Sequence, residues 1–281
     1  MKRTSLLLLL CLHLSLMLSA QEISVMTYNI KYDNPGDSLN NWDHRKAFMI
    51  DQLQYFSPDI FGTQEGLKHQ LEDLKSGLKG YDYVGIGRDE GNDKGEFTAV
   101  FYRKKAFALL HQETFWLSAT PEKPSKGWDA ALNRICTVLR LKHLETGREF
   151  MVFNTHFDHI GNEARVNSAA LIINKATVMN PDHLPVIVMG DLNLTPESEP
   201  IRKLNEVFDD SFLLAKEHRF GPIATFNGFE ISEVPEKRID YIFLSRDQWK
   251  VIRQATLSET IDARFISDHF PVLTHIRFEG K

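Results

Sequence analysis

Six short segments of the chain place carboxylates, imidazoles and carboxamides where apolar runs end or begin. They are Met26-Thr27-Tyr28-Asn29, Phe61-Gly62-Thr63-Gln64-Glu65, Asn154-Thr155-His156-Phe157-Asp158-His159, Gly190-Asp191-Leu192-Asn193, Arg238-Ile239-Asp240-Tyr241 and Ser267-Asp268-His269-Phe270. Each alone has an ordinary explanation. An Asp after Gly at a strand end is a common turn residue or helix cap. Asn29 can bond to nearby backbone, and Glu65 can cap a following helix, where a carboxylate is favoured. Together the six supply the residue types that phosphodiester hydrolysis needs. These are hard oxygen ligands for Mg²⁺, a carboxylate to handle the attacking water, and imidazoles that donate to phosphate oxygens. The chain shows no Cys/His zinc spacing, Walker-type loop or Gly-x-Ser-x-Gly elbow to suggest another chemistry.

The elements that must position these residues read as short strands alternating with amphipathic helices. Runs rich in Val, Ile, Phe, Tyr and Thr predict strands over Ile23–Tyr28, Ile60–Gln64, Tyr81–Ile86, Thr98–Tyr102, Ala108–Trp116, Ile135–Leu141, Phe150–Thr155, Val186–Gly190, Tyr241–Leu244 and Val272–Ile276. Several are too apolar to have a wet face. Helical spacing predicts Asp43–Phe56, stopped by Ser57-Pro58, as well as Leu67–Leu78 and Asn162–Met179. In the last, Val166, Ala169, Ala170, Ile173 and Ala176 form the expected buried stripe. The longest irregular stretch, Ser118–Asp129, carries Trp128. With no linker and no repeat, the pattern predicts one α/β domain of two packed sheets with helices outside.

Composition narrows the function classes. The 281 residues are 42% hydrophobic, enough for a large core and incompatible with a disordered chain. With 33 basic and 38 acidic side chains, the formal charge of −5 disfavours coating of nucleic acid by bulk electrostatics. Lys2 and Arg3, the apolar run Leu6–Leu18 and the small Ala20 before Gln21 match a secretory signal over 1–20. The run is short for a membrane span of ~20 residues and contains His13, so an uncleaved anchor is the weaker reading. Cleavage would remove two basic residues, taking the charge from −5 to −7, and would leave residues 21–281 as a single domain. It would also remove Cys11, leaving Cys136 alone in a strand-like apolar run, where it reads as an inert buried thiol.

The ordered motifs resemble the endonuclease/exonuclease/phosphatase superfamily, which includes deoxyribonuclease I, abasic-site endonucleases, neutral sphingomyelinases, inositol polyphosphate 5-phosphatases and the deadenylases. The resemblance runs from about Ile23 to Phe278. Its most specific pieces are Gly190-Asp191-Leu192-Asn193 and Ser267-Asp268-His269-Phe270-Pro271-Val272. It implies a four-layer α/β sandwich of two packed mixed β-sheets flanked by helices, with the site at one end of the sheets. It also implies roles. Glu65 matches the principal Mg²⁺ ligand, with Asn29 and Asp268 beside it at the metal centre; Mn²⁺ is an alternative ion. Asp191 matches the residue that orients or deprotonates water, and Asn193 its phosphate-contacting neighbour. Asp240 and His269 match a carboxylate–imidazole pair, and Glu96 and His156 a second one. Arg134 matches a phosphate-binding arginine.

The run from Gly190 to Ser198 takes the form found in the deadenylase and nocturnin branch. Leu194-Thr195 lacks the aromatic and basic residues usual in inositol phosphatases at that point. The resulting expectation is an exported, periplasmic or extracellular, Mg²⁺-dependent phosphoester hydrolase, of phosphodiesterase or nuclease type. It would act as a monomer on a phosphoester substrate, nucleic acid included, with no membrane anchor after cleavage. Hydrolysis of a phospholipid or of a sugar or inositol phosphate is the alternative within the fold. A catalytically idle binding module is the alternative from another class.

Overall fold

The computed structural model describes residues 22–279, so the expected signal segment lies outside the described residues. Fifteen strands are present among the described residues. They are β1 Ile23–Asn29, β2 Ile60–Gln64, β3 Tyr81–Val84, β4 Val100–Arg103, β5 Phe107–Trp116, β6 Ile135–His143, β7 Glu149–His156, β8 Val186–Asp191, β9 Phe208–Asp210, β10 Arg219–Phe220, β11 Asp240–Ser245, β12 Trp249–Thr256, β13 Thr260–Ile261, β14 Arg264–Phe265 and β15 Val272–Phe278. The α-helices are α1 Trp42–Phe56, α2 Lys68–Gly77, α3 Asn162–Val178, α4 Glu199–Val207 and the single turn α5 Ser211–Leu214.

One large sheet has the order β10-β12-β15-β1-β2-β4-β3 and the other β5-β6-β7-β8-β11-β9, while β13 and β14 pair as a separate two-stranded sheet. Both large sheets mix parallel and antiparallel neighbours. Alternation along β1 sorts the layers. Ile23 and Val25 enter the core between the sheets with Leu139, Phe150, Val152 and Ile187, whereas Met26 and Tyr28 face α1 and α2 through Trp42, Met49, Leu53 and Leu74. On the far side, Val138, Phe153, Val188 and Phe243 meet Ala169, Ile172, Ile201 and Leu204 of α3 and α4. The expected four-layer sandwich is therefore present. Each large apolar side chain buried in these layers contributes about 1.5–3 kcal/mol of transfer free energy.

The buried stripe of α3 differs from the expected one. It is Ala164, Ser168, Ala169, Ile172 and Ala176, while Ala170 is exposed and Val166 and Ile173 are half-buried. Ala169 and Ala176 are buried as expected, and the i, i+4 row Ala164–Ser168–Ile172–Ala176 shows the face to be rotated relative to the expected stripe. Cys136 is fully buried and free, and burial pushes its thiol pKa up. Trp128 is half-buried in its loop with φ of 47°.

Near the site the filling between the sheets turns polar. Asn154 on β7 reaches across to donate to the carbonyls of Thr63 and Ala99, both at 2.9 Å, and accepts from Gln64 Nε2 at 2.7 Å. Gly62 makes room, since a Cβ there would lie 2.6 Å from the Asn154 side chain. Gly190 is more constrained: its φ is +149° and a Cβ would sit 1.9 Å from the Thr155 carbonyl oxygen. Gly190→Ala is expected to destabilise the protein by about 2–4 kcal/mol. Urea unfolding followed by circular dichroism reads this out, and an unchanged midpoint would contradict the packing described.

Candidate active site

Strand register collects the site residues. Thr155–His156 on β7 pairs in parallel with Gly190–Asp191 on β8, so His156 lies level with Asp191. Asp191 in turn lies opposite Asp240 on β11. Because side chains alternate along a strand, these three residues in level positions share one face. In the other sheet Asn29 on β1 is level with Gln64 on β2, and Glu65 follows at once. His269 and Asp268 arrive on the segment before β15, where Phe226 bridges His269.

Asp191 Oδ2 is where the two sheets' side chains converge. It accepts from Asn29 Nδ2 at 2.9 Å and lies 3.5 Å from His156 Nε2 and 3.7 Å from His269 Nε2. Its other oxygen accepts the Asn193 backbone N–H at 2.9 Å. Asn29 also donates to Glu65 Oε1 at 3.0 Å, so one carboxamide holds two carboxylates from opposite sheets. Its own oxygen accepts the Lys31 N–H at 3.0 Å. The local-turn readings of Asn29 and Asp191 thus hold alongside their placement in the site. Glu65, by contrast, does not cap α2: its second oxygen faces the Tyr32 N–H at 3.3 Å, and Gln70 takes the Leu67 N–H instead, at 3.0 Å.

The two histidines carry different charge. His269 Nδ1 lies 2.9 Å from Asp240 Oδ2. Burial opposes its charge, but Asp240 and Asp191 outweigh burial and raise its pKa to about 10, making it an imidazolium. His156 is held neutral by burial and by the nearby Arg134 and Arg88 charges, which push its pKa well down. Arg134 Nη1 donates to His156 Nδ1 at 3.0 Å, which fixes the His156 proton on Nε2. Burial, reinforced by Asp240 and opposed by His269, lifts Asp191 to about 7, a value suited to proton transfer at neutral pH.

The expected Glu96–His156 pair is replaced by another. Glu96 lines the same cavity, but its Oε2 lies 2.5 Å from Arg88 Nη1, while His156 is held by Arg134 and faces Asn193 Nδ2 at 3.1 Å. Burial chiefly raises the Glu96 carboxyl, to about 7. Arg134 also reaches a third imidazole, His159 Nδ1, at 3.1 Å.

Three residues of the site also carry backbone strain. Lys31, Glu65 and Asn193, none of them glycine, have φ of 54°, 64° and 52°, and such strain persists only where surroundings over-determine it. Arg45, buried on α1, holds the Lys31 turn. Its guanidinium donates to the carbonyls of Asn40, Ile30, Ile266 and Lys31 at 2.6, 2.9, 3.0 and 3.1 Å. Nothing in the local pattern around Arg45 or Arg88 announced these roles.

Glu65, Asp191 and His269 offer ligand atoms within 4.8 Å of one another. His269 is committed to Asp240 as a cation, so oxygen ligands remain, the set that Mg²⁺ or Mn²⁺ takes. Asp268 adds a carboxylate, and its pKa is raised by burial and by Glu65. A positive charge already fits between these acids: Lys31 Nζ lies 3.3 Å from Asp268 Oδ2 and 3.9 Å from Glu65 Oε2. A divalent cation therefore suits the donor set.

The surrounding cavity has a volume of about 800 Å³ and contains Glu65, Glu96, Arg134, His156, Asp191, Asn193, Asp268 and His269 on its walls. A larger groove of about 1130 Å³, between α1 and the β12–β15 region, is lined by none of the residues of the six segments. Convergent polar groups with displaced pKa values mark the smaller cavity as the site.

Residues 26–269 match the Endonuclease/Exonuclease/phosphatase family. An endonuclease/exonuclease/phosphatase family protein from Bacteroides thetaiotaomicron has a solved structure that is 40% identical, with a TM-score of 0.90, covering 93% of this chain and 99% of that one. The structure of a mannosyl-6-phosphatase from the same species is 41% identical with a TM-score of 0.86, covering 91% and 100%. Rat nocturnin is 25% identical over 281 residues, which covers 89% of this chain. The match spans 63% of nocturnin's own length.

Proposed function

Since this chain belongs to the endonuclease/exonuclease/phosphatase family, whose members hydrolyse phosphoester bonds, we propose that it is a Mg²⁺-dependent phosphoester hydrolase acting on a small phosphorylated sugar. The observation that carries the chemistry is the convergence of Asn29, His156 and His269 on one oxygen of Asp191. Asp191, lifted to about 7, takes the proton of the attacking water. His269, charged before and after, donates to the oxygens on which negative charge grows. His156 offers a neutral Nε2–H beside it, and Arg134 fixes that tautomer. Glu65 and Asp268 would hold the divalent ion, with Asn29 setting the Glu65 carboxylate through its amide. When bound, the ion supplies Lewis acidity and neutralises phosphate charge.

The substrate reading is supported by the 41% identity to a mannosyl-6-phosphatase across nearly both chains and by a cavity of about 800 Å³, the size of a small-ligand pocket. The acidic balance also suits a small substrate better than a polyanion. A second reading, phosphodiesterase or nuclease, is favoured by the nocturnin-like form of Gly190–Ser198. A substrate panel with Mg²⁺ decides between them: sugar monophosphates, p-nitrophenyl phosphate, bis-p-nitrophenyl phosphate, single-stranded RNA and DNA, and sphingomyelin. Fast release of phosphate from the sugars supports the first reading, and preferential cleavage of RNA or DNA supports the second. No turnover on any of them, with or without Mg²⁺, would count for the binding-module reading.

We further propose export, with the mature chain beginning at Gln21. Among the described residues no helix is long and apolar enough to cross a membrane. N-terminal sequencing of protein recovered from its host is expected to read Gln21 first, and Met1 in the folded pool would overturn the proposal.

A further inference from the structure

Lys31 belongs to none of the residues so far given a chemical role, yet its backbone and its ammonium are both held in unusual positions. Its φ of 54° places a long side chain in the left-handed region, which β-carbon sterics disfavour. Arg45 clamps the carbonyls on both sides of that strained peptide, at Ile30 and Lys31. From that backbone the ammonium lies between Asp268 Oδ2, at 3.3 Å, and Glu65 Oε2, at 3.9 Å, with the side chain only 22% exposed. These acids come from opposite ends of the chain, one after β2 and one before β15. Burial works against the Lys31 charge, but Asp268 and Glu65 outweigh it and raise its pKa.

The two carboxylates are the ones that the proposed metal-dependent reading assigns to the divalent ion, Glu65 being also one of the cluster with Asp191 and His269. An ammonium within 4 Å of both and a metal ion bound by both would compete, by space and by charge. We propose that Lys31 is a tethered counter-cation that keeps the metal pocket assembled before loading and is displaced when the divalent ion binds. This rests on the metal-dependent reading of the site. Such a device has a thermodynamic signature. The metal must break an existing ion pair, so its apparent affinity is lower than the carboxylates alone would give. The metal-free protein in turn gains stability from the pair that the metal later replaces.

The test is Mn²⁺ binding by isothermal titration calorimetry, together with the thermal midpoint of the metal-free protein. Lys31→Met keeps the stem and the backbone strain and removes the charge. It is expected to tighten Mn²⁺ binding by roughly tenfold, as removing a unit charge within ~4 Å of the ligands should, and to lower the metal-free midpoint. Its midpoint should then rise further on adding Mn²⁺ than that of the wild type. Lys31→Arg restores the charge and is expected to bind within a few-fold of wild type. Should Lys31→Met not fold, Lys31→Gln reads the same comparison. Wild-type or weaker Mn²⁺ affinity in the neutral variant would overturn the proposal while leaving the metal site standing. Absence of Mn²⁺ binding in wild type and variant alike would overturn both this proposal and the metal-dependent reading.

Discussion

Asp191→Asn is expected to lower turnover by roughly 10²–10⁴-fold, the usual worth of general-base help, while leaving the fold intact. The substitution changes one charge and almost no volume. The amide oxygen can still accept the Asn193 N–H, now at 2.9 Å from Asp191 Oδ1. The other position fares worse, because an amide NH₂ there would face the Asn29 Nδ2 donor, now 2.9 Å from Oδ2. The lost function is specific. A carboxylate lifted to about 7 can take a proton near neutrality, and a carboxamide cannot. Steady-state turnover on p-nitrophenyl phosphate, with circular dichroism to confirm folding, checks this. Wild-type turnover in folded Asp191→Asn would remove Asp191 from the chemistry and leave it as a turn residue.

Much of this arrangement was legible in the sequence because strands announce themselves by composition and site residues sit at their ends. Asn29, Asp191 and Asp240 are the last or first residues of β1, β8 and β11, next to apolar runs with clear β character. The pairing of His269 with Asp240 follows from where those strands end and was expected from the resemblance. Strand β12 and helix α4 lack that local signal. Strand β12 carries Lys250, Arg253 and Gln254 among its apolar residues, and much of one face is exposed or half-buried. Helix α4 is nine residues long, begins at Glu199-Pro200 and is anchored by few large side chains. The error at α3 has a different cause. Periodicity located the helix and placed Ala169 and Ala176 correctly, but the buried row runs Ala164–Ser168–Ile172–Ala176 rather than through Val166 and Ile173, a rotation that a stripe of small residues does not fix.

Contacts across loops were the least legible. The Arg88–Glu96 pair closes between two parts of an irregular segment, where no period relates the partners. Glu96 is thus paired with Arg88, and His156 Nδ1 accepts from Arg134. Arg45 reads as an ordinary charged helix residue, yet it is 3% exposed and ties four backbone carbonyls. Both arginines act on the site through other residues: one sets a carboxylate, the other a strained turn. Motif matching finds the groups that meet the substrate far more readily than the groups that aim them.

His269→Ala is expected to match Asp191→Asn in severity, because it removes a positively charged donor from a buried site where such a donor is worth roughly 10²–10³-fold. Its structural cost is larger. Asp240 is 2% exposed and one of its oxygens already has no hydrogen-bond partner, so losing His269 leaves a buried carboxylate uncompensated. Unpairing a buried charge typically costs about 3–5 kcal/mol. His269→Ala/Asp240→Asn removes that charge and serves as the folding control. The more informative experiment is the double variant Asp191→Asn/His269→Ala. His269 lies 3.7 Å from the carboxylate it helps to hold ionised, and both groups act on the same transition state. Their losses are therefore expected not to multiply: the double variant should be about as impaired as the worse single one, as in other catalytic units. Turnover on one activated ester for both singles and the double decides it. Multiplicative losses would show that Asp191 and His269 act independently, leaving the reaction class in place and dissolving the coupling that their shared contact implies.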